Sequence, residues 1–334
     1  MQYYKLLKLN GLIKNYRIKF LGLYIFHILK KRYLAVHFDP INACNLRCKM
    51  CYFTDADYVK KLKGIFNPDE LDLFAKAILK RAIKLQIGCG TEPTLYKHID
   101  KIIILASKYK VPYISLTTNA NLLEKEKIEE WAKNGLEEIT VSLHGVTEKT
   151  YQDMMTKGNF KRFFQSLTYI KEVKQKYPKL KLRVNYTFNE DNFEELKYFY
   201  DVFDAVDVNI LQIRPISKIG NTEYNNFSLE KIIPKYEEIF QLLKTESQKR
   251  NVLFIAHSKE SLLQRKSVVS VIKKYTYCYI SPTTFFREDF NWKEEDFDTY
   301  AKRTKMGKEI GKSIFSSKKE INDLKNESLN YDIN

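Results

Sequence analysis

The chain has 334 residues, 44% hydrophobic and 29% charged, with 57 basic against 41 acidic residues and a net charge of +16. That length allows a large core. With only 11 glycines and 8 prolines, the composition excludes a disordered or low-complexity chain. The positive surplus points to an anionic partner, such as a membrane surface or an acidic or phosphorylated substrate. No stretch matches a zinc finger, an RNA-binding aromatic motif or a helix-turn-helix, so nucleic acid is not expected. Five cysteines, an odd number, and no convincing signal peptide argue for a reducing cytoplasm over a disulfide scaffold.

In chain order, residues 1–34 read as a basic amphipathic helical segment. Lys5, Lys8, Lys14, Arg17, Lys19, Lys30, Lys31 and Arg32 are interleaved with Leu6, Leu9, Ile13, Tyr16, Phe20 and Leu23, and no acid precedes Asp39. Those apolar positions recur every three or four residues, the period of one helix face. Asn10-Gly11 predicts a break between two helices. The apolar run from Phe20 to Leu29 falls short of the roughly 20 residues that cross a bilayer. Two roles stay open: a helix peripheral on an anionic membrane, at its inner face, or a helix packed beneath the fold.

A strand is expected at residues 35–38. A helix follows Asn67, an N-cap with Pro68 at the first helical position. Further strands are expected at 83–87, 113–117, 138–143, 180–188 and 206–213. The intervening helices fall at 96–109, 124–134, 147–155, 160–177 and 193–203. Six rounds of strand then helix imply parallel strands with helical crossovers. The chain therefore reads as α/β, with a core at 35–215. An α+β extension at 216–316 covers it, carrying a helix at 229–248 and a strand at 252–256. Residues 317–334 form a polar tail expected to be disordered.

The chemistry is concentrated in Cys44-Asn45-Leu46-Arg47-Cys48-Lys49-Met50-Cys51. Thiolates bind soft metals, and a complete zinc or iron–sulfur site takes four protein ligands. Three close cysteines suggest a 4Fe–4S cluster with one iron left for a small molecule. A zinc site completed by a distant fourth ligand, in a non-catalytic interaction module, is the alternative.

This C-x3-C-x2-C spacing resembles the radical S-adenosylmethionine (SAM) family. Gly90-Thr91-Glu92-Pro93 is similar to that family's Gly-Gly-Glu-Pro segment, with threonine for the second glycine, and Thr118-Asn119-Ala120 is similar to its Thr-Asn-Gly. The resemblance implies a partial (β/α)6 TIM-like barrel with its site at the C-terminal strand ends. It implies one 4Fe–4S cluster on Cys44, Cys48 and Cys51, whose open iron chelates SAM. Reductive cleavage of SAM then gives a 5′-deoxyadenosyl radical that abstracts hydrogen from the substrate. Met50 is placed beside the adenine. Gly90, Thr91 and Glu92 are placed around the SAM amino group, with Glu92 as its acceptor. Asn119, Ser142 and, on the sixth strand, Gln212 and Ile213 complete the SAM contacts.

His144 is a catalytic candidate at the cavity mouth, against the plainer reading of a strand-end histidine with its hydrogen bond satisfied. Arg214 is placed to pair with a substrate anion. An electron donor of flavodoxin or ferredoxin type is expected. Cys89 reads as a small buried hydrophobe. Cys278 is the lone cysteine of the extension, so no auxiliary cluster is expected. The basic N-terminus suggests an anionic or lipid-linked substrate, with a peptide as the alternative.

Overall fold

The computed structural model describes residues 2–216, 220–264, 272–317 and 320. Its strands are β1 (Leu34–Phe38), β2 (Arg47–Cys48), β3 (Ala82–Ile87), β4 (Ile114–Thr118) and β5 (Glu138–Leu143), followed by β6 (Met155–Thr156), β7 (Lys181–Phe188), β8 (Ile210–Pro215), β9 (Leu253–Ile255) and β10 (Tyr277–Ile280). Eight of them form one sheet in the order β10-β1-β3-β4-β5-β7-β8-β9. Every pairing in that sheet is parallel. The result is a partial TIM-like barrel, with the six expected strands at its centre and one strand added at each edge.

The β10 edge was not expected, because Tyr277-Cys278-Tyr279-Ile280 reads as a continuous aromatic patch. In the fold it alternates, with Cys278 and Ile280 fully buried and Tyr277 and Tyr279 half-buried. Alternation of this kind is the period of a pleated strand. Cys278 is thus a core thiol.

Two layers of side chains follow from the pleat. Outward-facing Val36, Phe38, Leu85, Ile87, Leu116, Val141, Leu143, Val184 and Leu211 are shut off from solvent against the helices. Each such side chain contributes about 1.5–3 kcal/mol by leaving water. The helices Leu71–Ile78, Ile99–Lys108, Lys125–Lys133 and Phe160–Lys176 supply the other side of that core. Local signals set their ends: Asn67 caps through its side chain, and Gly135 takes φ +106° just past a helix. The inward-facing positions are polar instead, among them His37, Lys84, Gln86, Glu138, Thr140, Ser142, Arg183, Asn185, Gln212 and Arg214.

The N-terminal segment forms helices Gln2–Leu12 and Tyr16–Ile28. They part at residues 13–15, not at Asn10-Gly11, because the Asn15 side chain caps the second helix at Arg17 N. Phe20 and Leu23 are buried, and Tyr24 and His27 lie against Gly311 and Gly307 of the helix Met306–Phe315. Tyr4 reaches the barrel floor. There it donates to Glu138 Oε2 at 2.5 Å and accepts from Arg183 Nη1 at 2.9 Å. Arg32 donates to the carbonyls of Leu79, Ala82 and Tyr109, so it braces the fold and leaves the basic face.

The opposite side of the second helix stays open. Ile18, Leu21, Ile25, Ile28 and Leu29 are 45–59% exposed. The expected tail at 317–334 lies almost wholly outside the described residues. No helix among the described residues is long and apolar enough to cross a membrane.

Candidate active site

All the singled-out segments gather where the sheet strands end. The cysteine loop leaves β1, residues 88–93 leave β3, residues 119–121 leave β4, and His144 and Arg214 close β5 and β8. The cysteine loop is clasped from three sides. β2 pairs antiparallel with β6, setting Cys48 against Met155. Glu92 N donates to Ala43 O at 2.9 Å, and Asn119 Nδ2 donates to Asn45 Oδ1 at 2.7 Å. Lys49 and Asp153 add an ion pair at 2.7 Å.

Cys44, Cys48 and Cys51 are half-buried. Burial pushes the Cys44 thiol up to about 12, the Leu46 N–H opposing it and Glu92 and Cys51 adding to it. Burial, then the Cys51 and Cys44 charges, raises Cys48 further. The three sulfurs therefore stand close enough to act on one another, and they would release protons on meeting a metal. No three His, Cys, Asp or Glu side chains converge on a single-ion position among the described residues. A cubane cluster places each thiolate on a separate iron, so three thiols spread along one loop fit it.

The residue that organises this mouth escaped sequence reasoning. Asp39, directly after β1, is fully buried. It accepts from Cys89 N at 2.7 Å, Gly90 N at 3.0 Å, Thr91 Oγ1 at 3.1 Å and Tyr279 Oη at 2.9 Å. The only available signal was its position, the first acid of the chain at a strand end. The bond to Thr91 also accounts for threonine where glycine is usual in similar sequences. Gly88 is needed, because its φ is +83° and a Cβ there would clash with Thr117 O, whereas a Cβ at Gly90 would lie 2.7 Å from the Tyr52 hydroxyl and displace it.

The Glu92 carboxylate is buried and accepts from Thr94 N at 3.1 Å, Thr94 Oγ1 at 2.6 Å and Thr118 Oγ1 at 2.7 Å through Oε1, and from Asn119 N at 2.7 Å through Oε2. It ties the loop after β3 to the end of β4. Asn119, just after β4, lies beside Cys44 and Asn45. Ala120 takes the left-handed φ of +61°, the conformation glycine would hold in Thr-Asn-Gly.

Met50 is buried in a small apolar cluster with Met154, Ile216 and Tyr224, and Asn189 Nδ2 lies 3.1 Å from its sulfur. Ser142 is half-buried on the lumen side of β5. Gln212 sits deeper in the lumen than Arg214 and accepts from Arg183, while Ile213 faces the outer core. His144 Nδ1 is buried with no hydrogen-bond partner among the described residues, and the Leu143 backbone is a polar neighbour of the ring. Burial, with the Arg214 charge, holds its pKa down to about 4, so it is neutral at pH 7. Cys89 is exposed, a correction to its expected burial.

The comparisons agree with this geometry. The family model for the Radical SAM superfamily matches residues 38–203, and the chain belongs to that superfamily. Members are enzymes that use a 4Fe–4S cluster, SAM and an electron donor. A GTP 3′,8-cyclase of Clostridium botulinum (strain Okra / Type B1) is 27% identical over 238 residues, covering 70% of this chain and 72% of that one. A probable GTP 3′,8-cyclase of Metallosphaera sedula is 24% identical over 70% of each. In fold, Streptococcus suis SuiB bound to S-adenosylmethionine superposes with TM-score 0.61 at 18% identity, over 82% of this chain and 68% of that one.

Proposed function

We propose that Cys44, Cys48 and Cys51 hold the 4Fe–4S cluster and that the loops at 89–93 and 119–121, with Ser142 and Met50, hold SAM. The observation that carries this reading is that the three-cysteine loop, the Asp39-braced loop and Asn119 meet at one end of the barrel, Asn119 donating to Asn45 inside the cysteine loop. When bound, the cluster and SAM supply a 5′-deoxyadenosyl radical that removes a hydrogen atom from the substrate. A flavodoxin or ferredoxin type donor provides the electron. The chain's own work is positional. Asp39 and Glu92 fix the SAM loop, the Met50 cluster shields the mouth from water, and the polar lumen orients the substrate.

Replacing Cys44, Cys48 or Cys51 by alanine should remove most of the iron and sulfide from anaerobically purified protein, while Cys278→Ala and Cys89→Ala should keep it. Zinc in place of iron, or equal iron loss in Cys278→Ala, would overturn the assignment.

The substrate is read as anionic. Lys84, Arg183 and Arg214 line the lumen, and the curated relatives carry a name that gives GTP as their substrate. A peptide substrate has only fold-level likeness behind it.

The protein is further read as peripheral on an anionic membrane. The open stripe Ile18, Leu21, Ile25, Ile28 is flanked by exposed Lys14, Arg17, Lys30 and Lys31. Such a face binds by apolar burial plus about 1 kcal/mol per basic residue near the surface. The helix also packs on the fold, so the two roles weighed from sequence coexist on opposite faces. The test is therefore a double change on the open face, Ile18→Asp with Ile25→Asp, and not deletion. It should abolish sedimentation with anionic liposomes at low salt and leave the iron content unchanged. Equal sedimentation of the double variant would remove the membrane reading.

A further inference from the structure

Arg214 stands apart from the other lumen cations. Lys84 is held by Gln86 at 2.8 Å, and Arg183 by Glu138, Tyr4 and Gln212. Arg214 has one weak bond, from Nε to Thr187 Oγ1 at 3.4 Å, and no ion pair among the described residues. Its two terminal nitrogens hold no hydrogen bond there. Burial, then the Arg183 charge, acts against its charge, and the Cys89 sulfur opposes them. Arg214 is half-buried, so its guanidinium can be reached from the mouth while lacking the carboxylate that would complete it.

The groups around it point the same way. His144, whose charge state Arg214 affects, presents a buried Nδ1 without a partner, and Asn185 on β7 has a buried amide oxygen without one. Asn185 faces the lumen two residues before Thr187, the register partner of Arg214. Its own register partner is Gln212, so its amide, which carries two donors, sits one layer below Arg214 in the lumen. Cys89 opens on this space as well, and its electrostatics couple to Arg214. The arrangement has spare donors and one unmatched positive charge, at the mouth and beside the proposed SAM site. A guanidinium offers a planar fork that matches phosphate or carboxylate oxygens two at a time.

We propose that Arg214, flanked by His144 and Asn185, forms a subsite in the barrel mouth that takes an oxyanion, the phosphate or carboxylate group of the substrate. The pairing anchors one end of the substrate and leaves the carbon to be attacked facing SAM. Calling the ligand a substrate group rests on the function proposed above; binding of the oxyanion itself does not.

The test reads binding on the cluster-loaded protein. Unfolding midpoints are measured in sodium phosphate, sodium acetate and chloride at matched ionic strength, for wild type, Arg214→Met, Arg214→Lys and the surface control Lys179→Met. Wild type and Lys179→Met should be stabilised by phosphate or acetate over chloride. Arg214→Met should lose that gain, with affinity reduced roughly ten- to hundredfold, and Arg214→Lys should keep part of it. The larger of the two gains in wild type identifies the phosphoryl or the carboxylate source. Equal stabilisation of wild type and Arg214→Met, or no gain in wild type from either anion, overturns the subsite. Iron content and SAM binding are measured alongside. Their loss in the cysteine variants, with the phosphate response retained, separates a failure of this subsite from a failure of the cluster assignment.

Discussion

The two ends of the barrel are built from the same strands and are equally polar inside, yet they treat their polar groups differently. At the floor, Glu138 accepts from Tyr4 and Tyr113 at 2.5 Å each and from Thr140 at 3.0 Å, and faces Arg183 at 3.7 Å. An N-terminal tyrosine plugs that end, where Arg183 Nε and Ser115 Oγ stay buried without a partner among the described residues. At the mouth, Arg214 has one long bond, and His144 and Asn185 each keep a buried atom unpaired. Both ends thus keep unpaired polar atoms, and what separates them is charge: Arg183 faces a carboxylate, and Arg214 faces none among the described residues. The floor is built for stability and the mouth for a guest.

The contrast can be broken most strongly at the floor. Glu138→Leu removes the acceptor and leaves Arg183 buried without its anion. It should cost about 3–5 kcal/mol, read as a lower urea midpoint with unchanged slope. Tyr4→Phe removes one charge-assisted bond and should cost about 1.5–3 kcal/mol by the same measurement.

A pH titration tests the middle and the mouth together. Burial, then Lys84 and Lys273, lowers His37 to about 3, and burial and Arg214 lower His144 to about 4. Below pH 6.5 the unfolded chain takes up protons that the folded chain refuses. Stability is therefore full above pH 6.5 and is lost as pH falls. Each histidine should account for about 2 kcal/mol between pH 7 and pH 5. His37→Gln and His144→Gln should each flatten that slope, and an unchanged slope would show that the site is hydrated enough to protonate.

The smallest effect on folding is expected at Arg214→Met. It removes an unmatched charge and should leave the urea midpoint unchanged or slightly higher while abolishing turnover. A midpoint loss like that of Glu138→Leu would erase the distinction between the two ends.

The barrel's centre was legible because alternating units and cap residues are local signals. Asn67, Gly135 and the six strands all fall within a few residues of where periodicity puts them. β10 was not, since Tyr277 and Tyr279 are amphipathic and hide a period of two among apolar letters. The cysteine loop and the 90–93 segment were legible as motifs. The link from Glu92 to the end of β4 was not, because Thr118 Oγ1 and Asn119 N meet its carboxylate only after folding. Asp39 and the Tyr4–Glu138 contact, 134 residues apart in sequence, belong to the same class of long-range facts.

The helix Tyr16–Ile28 meets its cover, the helix Met306–Phe315, across a sequence gap of 300 residues, as the bond from Tyr16 Oη to Ser316 O spans. Gly307 and Gly311 allow that fit by leaving room for His27 and Tyr24. The two segments therefore shelter each other: loosening the helix Met306–Phe315 uncovers apolar surface on the helix Tyr16–Ile28, so a protease cut in one should speed cutting in the other.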